Sequence, residues 1–245
     1  MAQQNIFDNP VFYEGYKKLR ENAVNANVLF EIPALFSMMP DLRGKTVLDL
    51  GCGFGEHCKL FVDLGAEKVV GIDISEKMLE IAQTENNHPR ITYLQMPMEN
   101  LIQLNGEFDI VVSSLALHYV EDFQEVVKNI CRLLKKDGVF IFSQEHPIVT
   151  SHSGGSRWTK NENGEKLHVN LSNYGVEGER DVTWFVDGIK IYHRTFSTIV
   201  NTLCAAGFSI EQMIEPLPTA EILKDHPDHA DLFHKPDFLL IKAKK

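Results

Sequence analysis

Short apolar runs alternate along the chain with segments in which apolar residues recur every three or four positions. The runs are rich in β-branched or aromatic residues and lack strict alternation, which is typical of buried strands in a parallel sheet covered on both faces. Five strands are predicted in this way: TVLDL (46–50), KVVGIDI (68–74), ITYLQ (91–95), FDIVVSS (108–114) and GVFIFSQ (138–144).

The segments between these strands have the period of amphipathic helices. Helices are predicted over 56–64, 76–85 and 122–135. Gly65 is a suitable residue to end the first helix, and Ser75 is the expected N-cap of the second. Alternating strands and helices of this kind predict right-handed βαβ units, and therefore an α/β fold with a doubly wound sheet.

The last third of the chain has a different pattern. A helix is predicted over 195–206, followed by strands over 208–216 and 238–244. Residues 145–194 show no strong helical period, and we interpret them as a substrate-cap insert after the fifth strand. Within this insert, VTWFVDGIKIYH (182–193) predicts a β-hairpin that turns at Asp187-Gly188.

The chain start precedes the first strand and predicts helices rather than strands. PVFYEGYKKLR (10–20) favours a short helix, although Gly15 weakens it, and Pro33 suits the first turn of another helix over 33–39. We therefore predict one domain over 1–245, with a helical N-terminal cap segment over 1–45.

The composition narrows the classes of partner. The formal net charge is -10, and basic residues form no run longer than short ones such as Lys135-Lys136 and the last few positions, which argues against nucleic acid and anionic membranes as partners. The first residues lack the apolar core of a secretory signal, and no apolar run approaches the ~18 residues of a membrane span. None of the four cysteines forms a CxxC pair. We therefore expect a reduced, cytoplasmic protein.

A glycine-rich turn follows the first predicted strand. In VLDLGCGFGEH (47–57) the glycines are Gly51, Gly53 and Gly55, and Asp73 ends the second strand, 22 residues after Gly51. Such a turn before a helix lets the backbone approach a ligand closely, and an acid at the end of the second strand can bind ribose hydroxyls. The two features together predict a nucleoside or dinucleotide ligand.

Two details separate the possible ligands. The spacing is G-x-G-x-G, whereas dinucleotide sites have G-x-G-x-x-G. Asp49 also precedes the first glycine by two positions, and a carboxylate there would repel a pyrophosphate. It would suit a ligand with an ammonium or sulfonium group.

With these motifs the sequence resembles the class I S-adenosylmethionine-dependent methyltransferases, most of all those that act on small molecules such as quinones and natural products. VLDLGCGFG is similar to the first motif of that family, and GIDIS, MPMENL, FDIVVSSLALHYV and LLKKDGVFIFSQEHP follow in the family's order and spacing over about 46–146. The resemblance implies a seven-stranded Rossmann-like sheet with an antiparallel last strand. It also implies S-adenosylmethionine as cofactor and S-adenosylhomocysteine as product.

The resemblance also implies a set of cofactor-binding residues. The methionine part would contact Asp49, Gly51 and Gly53, its ammonium or sulfonium group would face the backbone of Ser114, and its carboxylate would be held by Tyr16 and Arg20. The ribose hydroxyls would bind Asp73. The adenine ring would pack on Ile74 and be bordered by Met98 and Glu99. Plainer interpretations stay open: Asp73 as a turn or cap carboxylate, Met98 as core, and Tyr16 with Arg20 as a solvated helix face.

Four residues are candidates for acceptor-side chemistry. Glu145 and His146 end the fifth strand, where ligands of such folds bind, and His118 follows the fourth. His193 stands just before the helix over 195–206. The alternatives are that His118 only packs, that Glu145 and His146 pin the insert, and that His193-Arg194 caps the helix. His226, His229 and His234 could suggest a metal site, but no arrangement of acids or cysteines with them completes a known ligand set, so we expect none.

Three functions are compatible with these features. The first is methyl transfer from S-adenosylmethionine by in-line displacement to a small-molecule acceptor under the insert, with the acceptor atom (O, N or C) open. The second is a non-catalytic protein that binds S-adenosylmethionine. The third is an NAD-dependent dehydrogenase, which the glycine spacing and Asp49 argue against.

Overall fold

A seven-stranded sheet forms the centre of the protein in a computed structural model, which describes residues 4–22 and 24–245. Its strand order is β10-β11-β5-β4-β1-β2-β3, and only β11 runs antiparallel to its neighbours. The α/β sheet with an antiparallel last strand is thus confirmed. The strands are β1 Thr46–Leu50, β2 Lys68–Asp73, β3 Ile91–Gln95, β4 Phe108–Ser113, β5 Leu134–Glu145, β10 Ser209–Ile214 and β11 Phe238–Lys244.

Helices cover both faces of this sheet. One apolar cluster contains buried residues of the fifth and seventh helices and one face of β5, whereas the other contains residues of the second and third helices and the opposite face of β5. The β5 strand alternates between the two, because neighbouring side chains of a strand point to opposite faces. The helices are α1 Pro10–Glu21, α2 Ile32–Ser37, α3 Glu56–Asp63, α4 Glu76–Glu85, α5 Phe123–Leu133, α6 Pro147–Thr150, α7 Phe196–Ala205 and α8 Ala220–Asp225.

The insert after β5 contains α6 and two hairpins. The first hairpin joins β6 Trp158–Lys160 to β7 Lys166–Val169, and the second joins β8 Gly178–Trp184 to β9 Val186–His193. The hairpin is confirmed, but the predicted turn at Asp187-Gly188 is wrong. The chain reverses at Phe185, whose φ of 59° lies in the left-handed region, and Asp187-Gly188 lies within β9.

Tertiary contacts explain the position of this turn. The Phe185 and Trp184 rings both pack against Phe12 of α1, at centroid distances of 5.5 and 5.4 Å. Packing of these partly exposed rings on the fully buried Phe12 opposes the strain of an aromatic residue at positive φ. Local turn propensity favoured the glycine, but the contact with α1 decided the register.

The helix α1 extends through Gly15 because that residue faces the hairpin tip. A Cβ atom at Gly15 would lie 2.5 Å from Cδ1 of Phe185, closer than packing allows. The second predicted helix, over 33–39, begins at Ile32 and directly continues a π-helical segment, Asn27–Glu31.

We expect Gly15→Ala to loosen the contact between α1 and the second hairpin. Alanine favours an isolated helix by ~1 kcal/mol, yet here its methyl group would displace Phe185. Limited proteolysis of the N-terminal segment should therefore become faster. Lys18→Ala, at an exposed position of α1, is the control that changes helix propensity without a clash. Equal protection of Gly15→Ala and the unaltered protein would contradict this packing.

Candidate functional site

The glycine-rich turn follows β1 directly and has the left-handed backbone that its residues allow. Gly51, Gly53 and Gly55 have φ values of 71°, 52° and 77°. A Cβ atom at Gly51 would lie 2.5 Å from the Cβ atom of Ala116, whereas one at Gly53 would meet nothing within 4 Å. The turn is therefore packed on one side and open above Gly53, where its backbone faces a cleft.

Asp73, at the end of β2, ties this turn to the next one. Its Oδ2 accepts a hydrogen bond from the N–H of Gly53 at 2.8 Å, and its Oδ1 accepts one from the N–H of Ser75 at 2.9 Å. Burial raises the pKa of the carboxyl, and the two backbone donors oppose that shift. Asp73 therefore acts as a turn carboxylate, as the plainer interpretation held, and it also lines the cleft.

The cleft has a volume of about 820 Å³, including its open mouth. Its wall contains most of the residues predicted to bind the cofactor. Those that line it are Tyr16, Gly51, Gly53, Asp73, Ile74, Met98, Glu99 and Ser114. Met98 also packs against the core, so its two interpretations are compatible. Burial raises the pKa of Glu99.

Asp49 lies beneath the glycine turn rather than in the wall of the cleft. It is 1% exposed, and the thiol of Cys58 donates to its Oδ2 at 3.3 Å. Burial raises the pKa of Asp49 from 3.8 to about 7, and Asp73 and Glu31 add to the shift because their charges are of like sign. Any effect of Asp49 on a cationic ligand would therefore act through the turn.

Arg20 also lies outside the wall, because it pairs with Glu56 on the first turn of α3. Tyr16, one helical turn earlier, lines the cleft and packs against Phe7 and Trp184. The solvated-face interpretation is therefore wrong for Tyr16.

Glu31, which the sequence analysis did not single out, lies next to the cleft through its contact with Ser114. It is 1% exposed, and its Oε1 accepts hydrogen bonds from the hydroxyls of Ser143 and of Ser114, the latter at 2.9 Å. Burial raises the pKa of Glu31, whereas the hydrogen bonds from the two hydroxyls and the positive charge of Arg20 act to lower it. The available signal was a single acid within the apolar run VLFEIPALF (28–36).

An aromatic wall faces the cofactor side of the cleft. We use this term for Phe7, Tyr16 and Tyr119, which all line the cleft. Phe7 contacts both tyrosines edge to face, at centroid distances of 5.6 and 5.7 Å. Phe12 is fully buried behind the wall, between Phe7 and the tip of the second hairpin. The N-terminal segment and the insert thus meet over the cleft.

Of the four candidates for acceptor-side chemistry, Glu145 and His118 lie behind Tyr119. The His118 ring packs against Tyr119 at 4.3 Å, and its Nδ1 accepts from the N–H of Glu145 at 3.5 Å. Burial lowers the pKa of His118 to about 3, so this ring is neutral. Burial raises the pKa of Glu145 to about 7.

His146 and His193 have both ring nitrogens occupied. His146 Nδ1 accepts from the N–H of Ile148 as the cap of α6, and its Nε2 lies 2.8 Å from Glu215. The Nδ1 and Nε2 atoms of His193 contact the Thr150 hydroxyl and the Tyr174 carbonyl, each at 2.8 Å. The helix-cap alternative for His193-Arg194 is wrong, since Thr195 caps α7.

The described part of the chain contains neither a cluster of metal-binding side chains nor a helix that could cross a membrane. Within residues 4–22 and 24–245, no group of three or more His, Cys, Asp or Glu side chains is arranged to hold a metal ion. Over the same two ranges, no helix has the length and apolar character needed to cross a membrane.

Comparison with known proteins places the chain in a family. A family model described as a methyltransferase domain matches residues 48–142. The crystal structure of a candidate S-adenosylmethionine dependent methyltransferase from Listeria monocytogenes is 42% identical, with a TM-score of 0.81, over 88% of this chain and 96% of that one. The S-adenosylmethionine dependent methyltransferase of Mesorhizobium loti is 36% identical, with a TM-score of 0.80, over 91% and 99%.

The chain therefore belongs to the S-adenosylmethionine-dependent methyltransferases, and S-adenosylmethionine is its cofactor. This excludes the dehydrogenase interpretation. A curated relative, the ubiquinone biosynthesis O-methyltransferase of Neisseria meningitidis, is 37% identical over 107 residues, which are 42% of this chain and 45% of that protein.

We expect Asp49→Asn to stabilise the ligand-free protein more at pH 8 than at pH 5. The raised pKa of about 7 means that the folded protein keeps this proton to higher pH than the unfolded chain, so Asp49 lowers stability as pH rises from about 4 to 7. Asparagine removes that titration and still accepts from the thiol of Cys58. The difference in melting temperature between variant and unaltered protein should grow with pH.

Asp63→Asn is the matched control, because Asp63 is exposed and pairs with Lys59 on the surface. Its melting difference should change little between the two pH values. A difference for Asp49→Asn that stays constant from pH 5 to pH 8 would show that this carboxyl titrates in its ordinary range.

Proposed function

We propose that the protein transfers the methyl group of S-adenosylmethionine to a small-molecule acceptor held against the aromatic wall. One observation carries the proposal: a single cleft joins the glycine turn and Asp73 on one side to Phe7 and Tyr119 on the other. Donor and acceptor bound in one enclosed space can react without intervening water.

The residues that line the cleft fit the cofactor. Gly53 leaves open space above its backbone, and the carboxylate oxygens of Asp73 each keep a further acceptor position for a ribose hydroxyl. We assign Ile74, Met98 and Glu99 to the adenine side, as the family resemblance implies. We assign Gly51, Gly53 and Ser114 to the methionine side. The cofactor supplies a methyl group that its sulfonium has already activated.

Three features support a small apolar or aromatic acceptor. The aromatic wall presents ring surfaces, which bind flat or apolar molecules. The net charge of -10 disfavours a nucleic acid. The relative from Neisseria meningitidis is itself named for ubiquinone biosynthesis.

We assign proton acceptance, where the acceptor group must lose a proton, to Glu145. Its pKa of about 7 suits a general base at neutral pH, and its charge acts on Tyr119 of the wall. Within the described residues its carboxylate makes no hydrogen bond, whereas His146 and His193 have both ring nitrogens occupied. We assign the two histidines to holding the insert on the sheet.

We expect S-adenosylmethionine and S-adenosylhomocysteine to raise the melting temperature, because a ligand that binds only the folded state stabilises it. NADH should have no effect. Asp73→Ala should weaken cofactor binding by about 1–3 kcal/mol in titration calorimetry, since hydrogen bonds to a charged group are lost. Asp181→Ala, on the hairpin outside the cleft, is the control. An unchanged dissociation constant for Asp73→Ala would remove this residue from the site.

The acceptor can be identified by methyl transfer from labelled S-adenosylmethionine into a metabolite extract, with mass analysis of the product. We expect a labelled product of low molecular mass, and we expect Glu145→Gln to lower turnover with little change in cofactor affinity. Label found only in macromolecules would overturn the small-molecule assignment. No label in any fraction, with normal cofactor binding, would favour a non-catalytic protein.

A further inference from the structure

Glu31 occupies an unusual position for an acid. It lies on the π-helical segment before α2, is 1% exposed, and reaches the ends of two central strands. Its Oε1 accepts from Ser143 on β5 and from Ser114, just after β4. No hydrogen bond to its Oε2 is present within residues 4–22 and 24–245. Ser114 in turn lines the cleft, so the Glu31 carboxylate lies directly behind the part of the cleft that Ser114 forms.

Among residues 4–22 and 24–245, no cation forms an ion pair with Glu31. Arg20 acts on it electrostatically, but this guanidinium is paired with Glu56. The other groups that share the region are Tyr16 on α1 and Asp49 on β1, which supply no positive charge. Buried carboxylates in proteins are normally paired with a cation or lose their charge. A charged Glu31 therefore needs one more positive group than the residues around it supply.

We propose that Glu31 is the carboxylate that pairs with the ammonium group at the amino-acid end of S-adenosylmethionine and of its product. This inference rests on the proposed cofactor position, in which the methionine part lies beside Gly51, Gly53 and Ser114. An ammonium group there would be next to the Ser114 hydroxyl that Glu31 already holds at 2.9 Å. The ammonium group would supply the missing positive charge and would donate a hydrogen bond to Oε2 of Glu31.

The alternative is that Glu31 only fastens the N-terminal segment to the sheet through its two serines. A fastening role needs hydrogen-bond acceptors but no charge, and glutamine would supply them. A binding role needs the charge, and it concerns only ligands that carry the amino group. The two roles therefore differ in which ligand a Glu31→Gln substitution affects.

The test compares two ligands on Glu31→Gln and the unaltered protein by titration calorimetry. S-adenosylhomocysteine carries the amino-acid end, whereas 5′-methylthioadenosine has the same nucleoside without it. We expect Glu31→Gln to weaken S-adenosylhomocysteine binding about tenfold or more, the loss expected for a hydrogen bond between charged groups, with 5′-methylthioadenosine affinity unchanged. Ser143→Ala, which removes a hydrogen bond but leaves the charge, should not create this difference.

A second variant covers the case in which Glu31→Gln does not fold. Glu31→Asp keeps the charge but shortens its reach, so it should weaken S-adenosylhomocysteine by an intermediate factor and spare 5′-methylthioadenosine. Equal weakening of both ligands, or of neither, would overturn the inference. Asp73→Ala, which should weaken both ligands through the ribose, separates that result from failure of the cofactor site itself. Absence of binding to the unaltered protein would refute the cofactor site and this inference together.

Discussion

The site depends on one carboxylate that joins two strand-to-helix turns. Asp73 ends β2 and accepts hydrogen bonds from Gly53 in the first turn and from Ser75 in the second. Parallel strands place both turns at the same edge of the sheet, and this bridge helps to fix their separation, together with hydrogen bonds from the N–H groups of Gly51 and Cys52 to the carbonyl of Ile72. The glycine backbone and the carboxylate therefore face one cleft with a defined geometry, and the bridge exists before any ligand binds.

Buried acids cluster beside and beneath the glycine turn. Burial raises the pKa of Glu31, Asp49 and Asp73, while Arg20 is committed to Glu56. Such an arrangement costs folding free energy when the acids are charged, and under our proposal a positively charged ligand would reduce that cost.

The aromatic wall is supported by segments that are far apart in sequence. Phe12 on α1 packs against Phe185 at the tip of the second hairpin, and Gly15 provides the space for that ring. The aromatic wall stands on this contact. The cleft thus combines residues at the edge of the sheet with Phe7 and Tyr16, which come from the segment before β1.

The sequence by itself determined the sheet, its order of strands and helices, and the glycine turn with Asp73, because these follow from local hydrophobic period and from residues close in sequence. It missed Glu31 and misplaced the turn at Phe185, since both depend on contacts with partners more than eighty residues away along the chain. It also could not decide what His146 does. Only the folded chain shows that Glu215 contacts Nε2 of His146, because the position of a histidine in the sequence does not indicate which distant residue will contact it.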